Sequence, residues 1–506
     1  MELERADCCS PSKEDDKKLD REAERKKTAK SKPKRSATMP RMEYQPGMYK
    51  NRASARNPAS EGFRHAFLSL KRPTPSGSLI STSLDRKRDF LLRYFSTTHL
   101  AQVYWSDVHA ADHNSHIVPL ALQKPALFNA MMAKALTDFR FGDDALSDDM
   151  VLRCNDNEIR SVKIDFAFFK VQALKHLRSS LDDGAMREIC PSIVMTTIFL
   201  VKTELVEGNV KEVRLHLRAL RELFQNGVSL EFLSPCARSP SLLTINLACS
   251  VCQEPPILVP ASCANTAMSD EFTKAMNDCP IATLSNLAQG FSNPAIMKLL
   301  GPHILSYIPW QKNLILMKEM SMSGRLKRTT IEDYAIATSM VHRADYHLLS
   351  LPYLTDLSPV QDVVRVVLLI ADMSTFLGRF RGTASATSLA LQLKGTLEAM
   401  NLPNMEYFEH GAVCLVFWAC FYGLDLSRSA GDRLWFMSHL KRCLKVLRLS
   451  EPADIFKLLV SFMYTERQYS GISEIVWKDL TGPGQHETDR SLGSDTEKEE
   501  RKLQTL

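Results

Sequence analysis

Apolar residues recur at spacings of three and four through most of this chain, the period of helices that pack by one face. Over residues 162–181, Phe166, Phe169, Ala173, Leu177 and Leu181 keep that period, and Lys163, Lys170, Lys175 and Arg178 cover the other side. Over residues 210–224, Val213, Leu217, Leu220 and Phe224 repeat it against Lys211, Glu212, Arg214, Arg218 and Arg221. Between the two, residues 189–205 are apolar nearly all round, which predicts a buried helix. Ser358-Pro359-Val360-Gln361 has the chemistry of a helix start: a capping hydroxyl, a proline at the first helical position and an amide able to bond back. The run that follows, 363–377, is too apolar to be exposed. Asp432 reads as the cap of a helix through Leu434, Met437, Leu440, Leu444 and Leu447, and Ser450-Glu451-Pro452 opens another through Ile455, Leu459 and Phe462. No run alternates with period two for long enough to build a sheet, so the expected fold is all-α.

Two regions break the pattern. Residues 226–302 hold Pro235, Pro240, Pro255, Pro256, Pro260, Pro280 and Pro294, which predicts short helices joined by loops. Residues 1–60 lack Ile, Val and Phe and are crowded with Lys, Glu, Ser, Arg and Pro. Such a segment buries too little apolar area to offset the entropy of ordering it. The expected division is a disordered basic arm over 1–80, a helical body over 81–480 and a disordered polar tail over 481–506.

Charge sharpens the division. The first 56 residues carry 16 Lys and Arg against 10 Asp and Glu, an excess of six that equals the net charge of all 506 residues. The body is therefore neutral, and its fold is not governed by charge. Within the arm, Arg25, Lys26, Lys27, Lys30, Lys32, Lys34 and Arg35 form a cluster suited to the acidic groove of a nuclear-import receptor or to phosphate. With no fold and no interleaved aromatics, any DNA contact would be weak, non-specific and salt-sensitive. The segment before the cluster is charged throughout, unlike a secretory leader, and the longest apolar stretches fall short of the roughly 20 residues that cross a bilayer. The 12 cysteines are scattered and no Asn-x-Ser/Thr sequon occurs, as in a soluble protein of a reducing compartment.

Candidate chemistry is thin. His109, Asp112, His113 and His116 are the densest set of metal-ligand types, yet no Glu follows His109 as a metalloprotease helix requires, and the segment reads as solvated surface. Cys249 and Cys252, flanked by Cys236 and Cys263, supply a single close pair where a structural zinc site has two, and read as helix-buried thiols. Asp143, Asp144, Asp148 and Asp149 lack the alternation of a calcium loop. Gly378-Arg379-Phe380-Arg381-Gly382 is not followed by the Lys-Ser/Thr of a phosphate loop. The expectation is no enzyme, no catalytic residue, no metal and no cofactor.

One resemblance orders these pieces. Lys124-Pro125-Ala126-Leu127-Phe128-Asn129-Ala130-Met131, then 169–177, the buried helix 193–205, and 214–223 around His216 follow one another as in the helical regulatory domain of fungal-specific transcription factors. Helices over 434–449 and 452–463, with Ile475-Val476-Trp477-Lys478, are similar to that family's closing helices, so the resemblance spans about 85–480. The chain departs from it where Leu217 and Arg218 follow His216 in place of a glycine. It departs again near the start, where Cys8 and Cys9 stand instead of a six-cysteine binuclear zinc cluster. The resemblance implies a nuclear transcription-regulator-like protein without that module, acting through a body that contacts other transcription proteins or a second copy through an apolar helix face. It also implies a small-molecule pocket among 363–377 and 413–422. The competing expectation is a cytoplasmic helical scaffold with no role in transcription.

Overall fold

Helices with no polar face must lie at the centre of the body, and three of them do. The computed structural model describes residues 82–100, 107–140, 156–182, 191–259, 285–322, 330–376, 380, 382–400, 402, 408–465 and 480. Among these, α1 is Thr82–Tyr94, continued by a π-helical turn Phe95–His99, α2 is Asp107–Gln123, α3 is Pro125–Arg140, and α4 is Asp156–Asp182. Next come α5 (Pro191–Glu207), α6 (Val210–Gln225), α7 (Pro235–Cys252), a 3-10 turn Gln289–Ser292, α8 (Pro294–Leu305), α9 (Ile308–Met322) and α10 (Ile331–Leu354). The chain closes with α11 (Pro359–Phe376), α12 (Ala384–Glu398), α13 (His410–Leu426), α14 (Ala430–Leu447) and α15 (Pro452–Ser461). No strand occurs among the described residues, and the fold is all-α.

In the amino-terminal half, α5 is buried from Ser192 to Val201 and is contacted by α3, α4, α6 and α7. Its hydroxyls need no outside partner, since Thr196, Thr197 and Thr203 each donate to the carbonyl four residues back. In the carboxyl-terminal half, α11 and α13 take the central places, ringed by α8, α9, α10, α12, α14 and α15. α7 and α12 touch both groups, and one hydrophobic core runs through all of them. None of the described helices is long and apolar enough to cross a membrane.

The start of α11 is built as its sequence predicts. The Gln361 amide nitrogen donates to Ser358 Oγ at 3.3 Å, and the Ser358 amide donates to Gln361 Oε1 at 2.9 Å. The same Gln361 side chain donates through Nε2 to Leu300 O at 3.1 Å, next to the kink at Gly301, whose φ of 66° suits glycine. α10 opens on a similar reciprocal box between Thr330 and Asp333.

Three expectations need correction. α14 is capped by Ser429, whose hydroxyl accepts from the Asp432 amide at 3.1 Å, while the Asp432 carboxylate is turned to Lys394 at 2.9 Å. Its buried face is Phe436, Leu440, Cys443 and Leu447, and Leu434 is 70% exposed. The proline-rich stretch holds α7, 18 residues long, with Pro235 at its first position and Pro240 inside it. Burial of fifteen α7 residues outweighs the ladder bond that Pro240 removes. On α4, Lys170 turns inward and Leu181 outward, the reverse of the sequence assignment, because buried Glu204 draws the ammonium to 2.5 Å. The cysteines behave as expected: Cys249 and Cys252 are buried in α7, and burial pushes their thiols up to about 12 and about 11. Residues 1–81, 141–155, 260–284, 466–479 and 481–506 lie outside the described residues. With them lie the basic cluster, the acidic run, Cys263, the 475–478 segment, and the expected arm and tail.

α13 and α14 approach so closely that a Cβ added at Gly423 would sit 2.2 Å from Phe436 Cε1. Gly423→Ala is therefore expected to destabilise the body by roughly 2–3 kcal/mol through overpacking. Chemical denaturation measures it, and an unchanged midpoint would show that the two helices separate freely.

Candidate functional site

Four helix segments meet around an open cleft of about 970 Å³: the ends of α7 and α10, the start of α11 and one side of α12. Its floor is apolar, from Leu349, Val366 and Leu369, each nearly inaccessible, while Leu391 projects from α12 at 50% exposure. The rim is polar but self-engaged. The last carbonyls of α7 are a helix end that must find donors. Gln392 donates to Ser250 O and Val251 O at 3.1 and 3.2 Å, Arg214 to Cys252 O at 3.1 Å, and the Tyr353 hydroxyl to Gln253 O at 2.9 Å. Glu254 is held by Arg221 at 3.1 Å, and Asp362 by Arg365 at 2.8 Å. Such an arrangement binds by apolar contact framed by fixed polar groups. The cleft replaces the pocket expected among 363–377 and 413–422. Those residues of α13 are filled core, and α11 lines the cleft with its first turns, not with a face toward α13.

One helical turn from the floor lies a buried polar centre on the same helices. Asp345 stands four residues before Leu349 on α10, Asp372 three after Leu369 on α11, and Asn246 four before Ser250 on α7. Asn246 Nδ2 lies 3.0 Å from His342 Nδ1 and 3.2 Å from Asp345 Oδ2, and Gln311 of α9 donates to Leu368 O at 2.7 Å. Both carboxyls are fully inaccessible. Burial drives Asp345 up to about 7, and burial together with its neighbour Asp345 drives Asp372 well above the usual 3.8. Burial and their mutual repulsion both oppose ionising the two together. Burial also lowers His342 to about 4, so it stays neutral beside them.

The amino-terminal half holds a second charged centre. Asp138 of α3 pairs with Lys134 on its own helix and with His99 at 2.9 Å, tying the π-helical turn to α3. Burial opposes its ionisation, but the Lys134 ammonium and the hydrogen bond to His99 hold its carboxyl below the usual range, while burial lowers His99 itself. Lys202 of α5 lies nearby over the Phe199 ring at 5.0 Å, and burial and then Lys134 lower it to about 7. His216, the histidine of the fourth resembling segment, is half-buried, and burial lowers it.

The histidines of α2 are not a solvated surface set. His109 and His113 are buried, His109 against the Tyr334 ring at 4.3 Å and His113 against Phe95 at 6.1 Å. Burial lowers both, and His116 remains outside with Asp112 at 3.7 Å. No group of three or more metal-ligating side chains is assembled among the described residues.

Residues 90–242, from within α1 to within α7, match the model of the fungal specific transcription factor domain. The matched segment is similar to that domain over 153 of the 506 residues. It contains α2 to α6, the Asp138 and Glu204 centres and, of the cleft lining, Val210. The resemblance of residues 243–480 rests on the sequence reading, since the matched segment ends within α7. No curated protein and no solved structure matches the chain.

The carboxyl pair has a measurable signature. Between pH 3.8, where an unfolded Asp ionises, and about 7, the folded chain holds more protons than the unfolded one, so this pair makes stability fall as pH rises. Asp372→Asn removes the penalty while keeping the shape. It is expected to raise stability at pH 8 and to change it little at pH 4. Urea midpoints at the two pH values read the difference, and a gain equal at both would mean that the pair is not protonated.

Proposed function

We propose that this chain is a nuclear transcription regulator whose helical body works by contacting other transcription proteins. The observation that carries the reading is the match of residues 90–242 to the fungal specific transcription factor domain, which supports transcription regulation rather than catalysis. Import is assigned to Arg25, Lys26, Lys27, Lys30, Lys32, Lys34 and Arg35, whose spacing suits an import receptor. The same cations give weak, sequence-independent DNA contact. The body supports the reading through its form: rigid helices, polar groups engaged with one another, and large surfaces for protein contact.

A tagged chain with those seven cations replaced by alanine is expected to lose nuclear accumulation while keeping its melting temperature. A wild-type chain that stays in the cytoplasm would favour a scaffold with no role in transcription. For DNA, the logarithm of the wild-type binding constant should fall with the logarithm of salt concentration at a slope of up to about −6, and the substituted chain should lose that slope. A specific complex that survives the substitution would place DNA recognition in the body.

A further inference from the structure

α4 is apolar on two opposite faces. Phe169 and Ala173 are fully buried toward α3 and α5, with Phe166 and Leu177 half-buried beside them. On the outside, Phe168, Val171, Leu174 and Leu181 are 39, 58, 38 and 38% exposed. At 100° per residue these four fall within an arc of about 140°, so they form a stripe and not a scatter. The helix cannot turn the stripe inward, because Lys170 on its inner side is anchored to fully buried Glu204. A helix with a second apolar face is built for a second neighbour.

Charge identifies that neighbour. From Phe166 to Leu181 the helix contains no Asp or Glu, Asp182 closes it, and exposed Lys175 lies within the outer arc. A second copy docked face to face about the middle of the stripe would bring Lys175 close to its own equivalent, a like-charge clash. A segment with apolar residues at helical spacing and Asp or Glu flanking them would meet both features at once.

We propose that the outer face of α4, made by Phe168, Val171, Leu174 and Leu181 with Lys175 at its edge, is the docking site for an acidic amphipathic helix of a partner protein. This deepens the reading that the body works through protein contacts and names the surface and the partner chemistry. Its test is independent of nuclear import, so failure of one leaves the other standing.

The probe is a labelled helical peptide of about 18 residues, with Leu at i, i+3, i+4 and i+7 positions and Glu between them, titrated with the full chain and followed by fluorescence anisotropy. Saturable binding is expected, weakening with salt and falling about tenfold with Val171→Glu or with Lys175→Glu, as for loss of one anchor. Leu434→Glu, at an exposed position of α14, should leave binding unchanged. Circular dichroism melts check each variant, and exposed Lys175 carries the test if Val171→Glu unfolds. No saturable binding, equal binding by the Lys175→Glu chain, or equal binding of a peptide with Lys in place of Glu would each overturn the proposal. A wild-type dimer in sedimentation that Val171→Glu dissolves would overturn it in favour of a second copy.

Discussion

Three helices in this body carry no polar stripe, and every other element takes its place from theirs. α5, α11 and α13 present side chains that water disfavours around their whole circumference, so each demands neighbours on all sides. α3, α4, α6 and α7 meet that demand around α5, and α8, α9, α10, α12, α14 and α15 meet it around the other two. Polar atoms admitted to the interior are settled both within their own helix and across to others. Thr196 and Thr197 return their hydroxyls to their own helix, and Tyr422 reaches Met463 O at 3.2 Å. Where settlement is incomplete, as at Asp345 and Asp372, the carboxyls keep a proton instead of a charge.

Much of this was legible in the chain because periodicity reports a helix's surroundings directly. The amphipathic spacing of α6 predicted its buried Val213, Leu217 and Leu220, and the unbroken apolar run of α5 predicted its central place. The Ser358–Gln361 box was legible because its geometry lies within four residues. What escaped depends on contacts made far along the sequence. Pro240 reads as a helix breaker until the burial of the rest of α7 is known. Asp432 reads as a cap until Lys394 is seen to hold it. His109 and His113 read as solvated because the Tyr334 and Phe95 rings that cover them come from other elements.

The functional surfaces were harder still. A cleft assembled from the ends of α7 and α10, the start of α11 and the flank of α12 leaves no local mark. The apolar run of α11 marked burial, not an opening. One signal was present: Asp372 interrupts an otherwise apolar run, and a lone carboxylate in such a setting marks a buried polar centre. The inward turn of Lys170 and the outward turn of Leu181 were likewise set by Glu204, about 30 residues away in the chain.

Gln361 has a consequence for how this sequence can drift. Its oxygen accepts from the Ser358 amide while its nitrogen donates to Leu300 O across the kink at Gly301. A glutamate of the same length would keep the first bond and set a carboxylate against a carbonyl in the second; a lysine would do the reverse. The position therefore tolerates amide chemistry and little else, and a single side chain couples the bend of one helix to the birth of another.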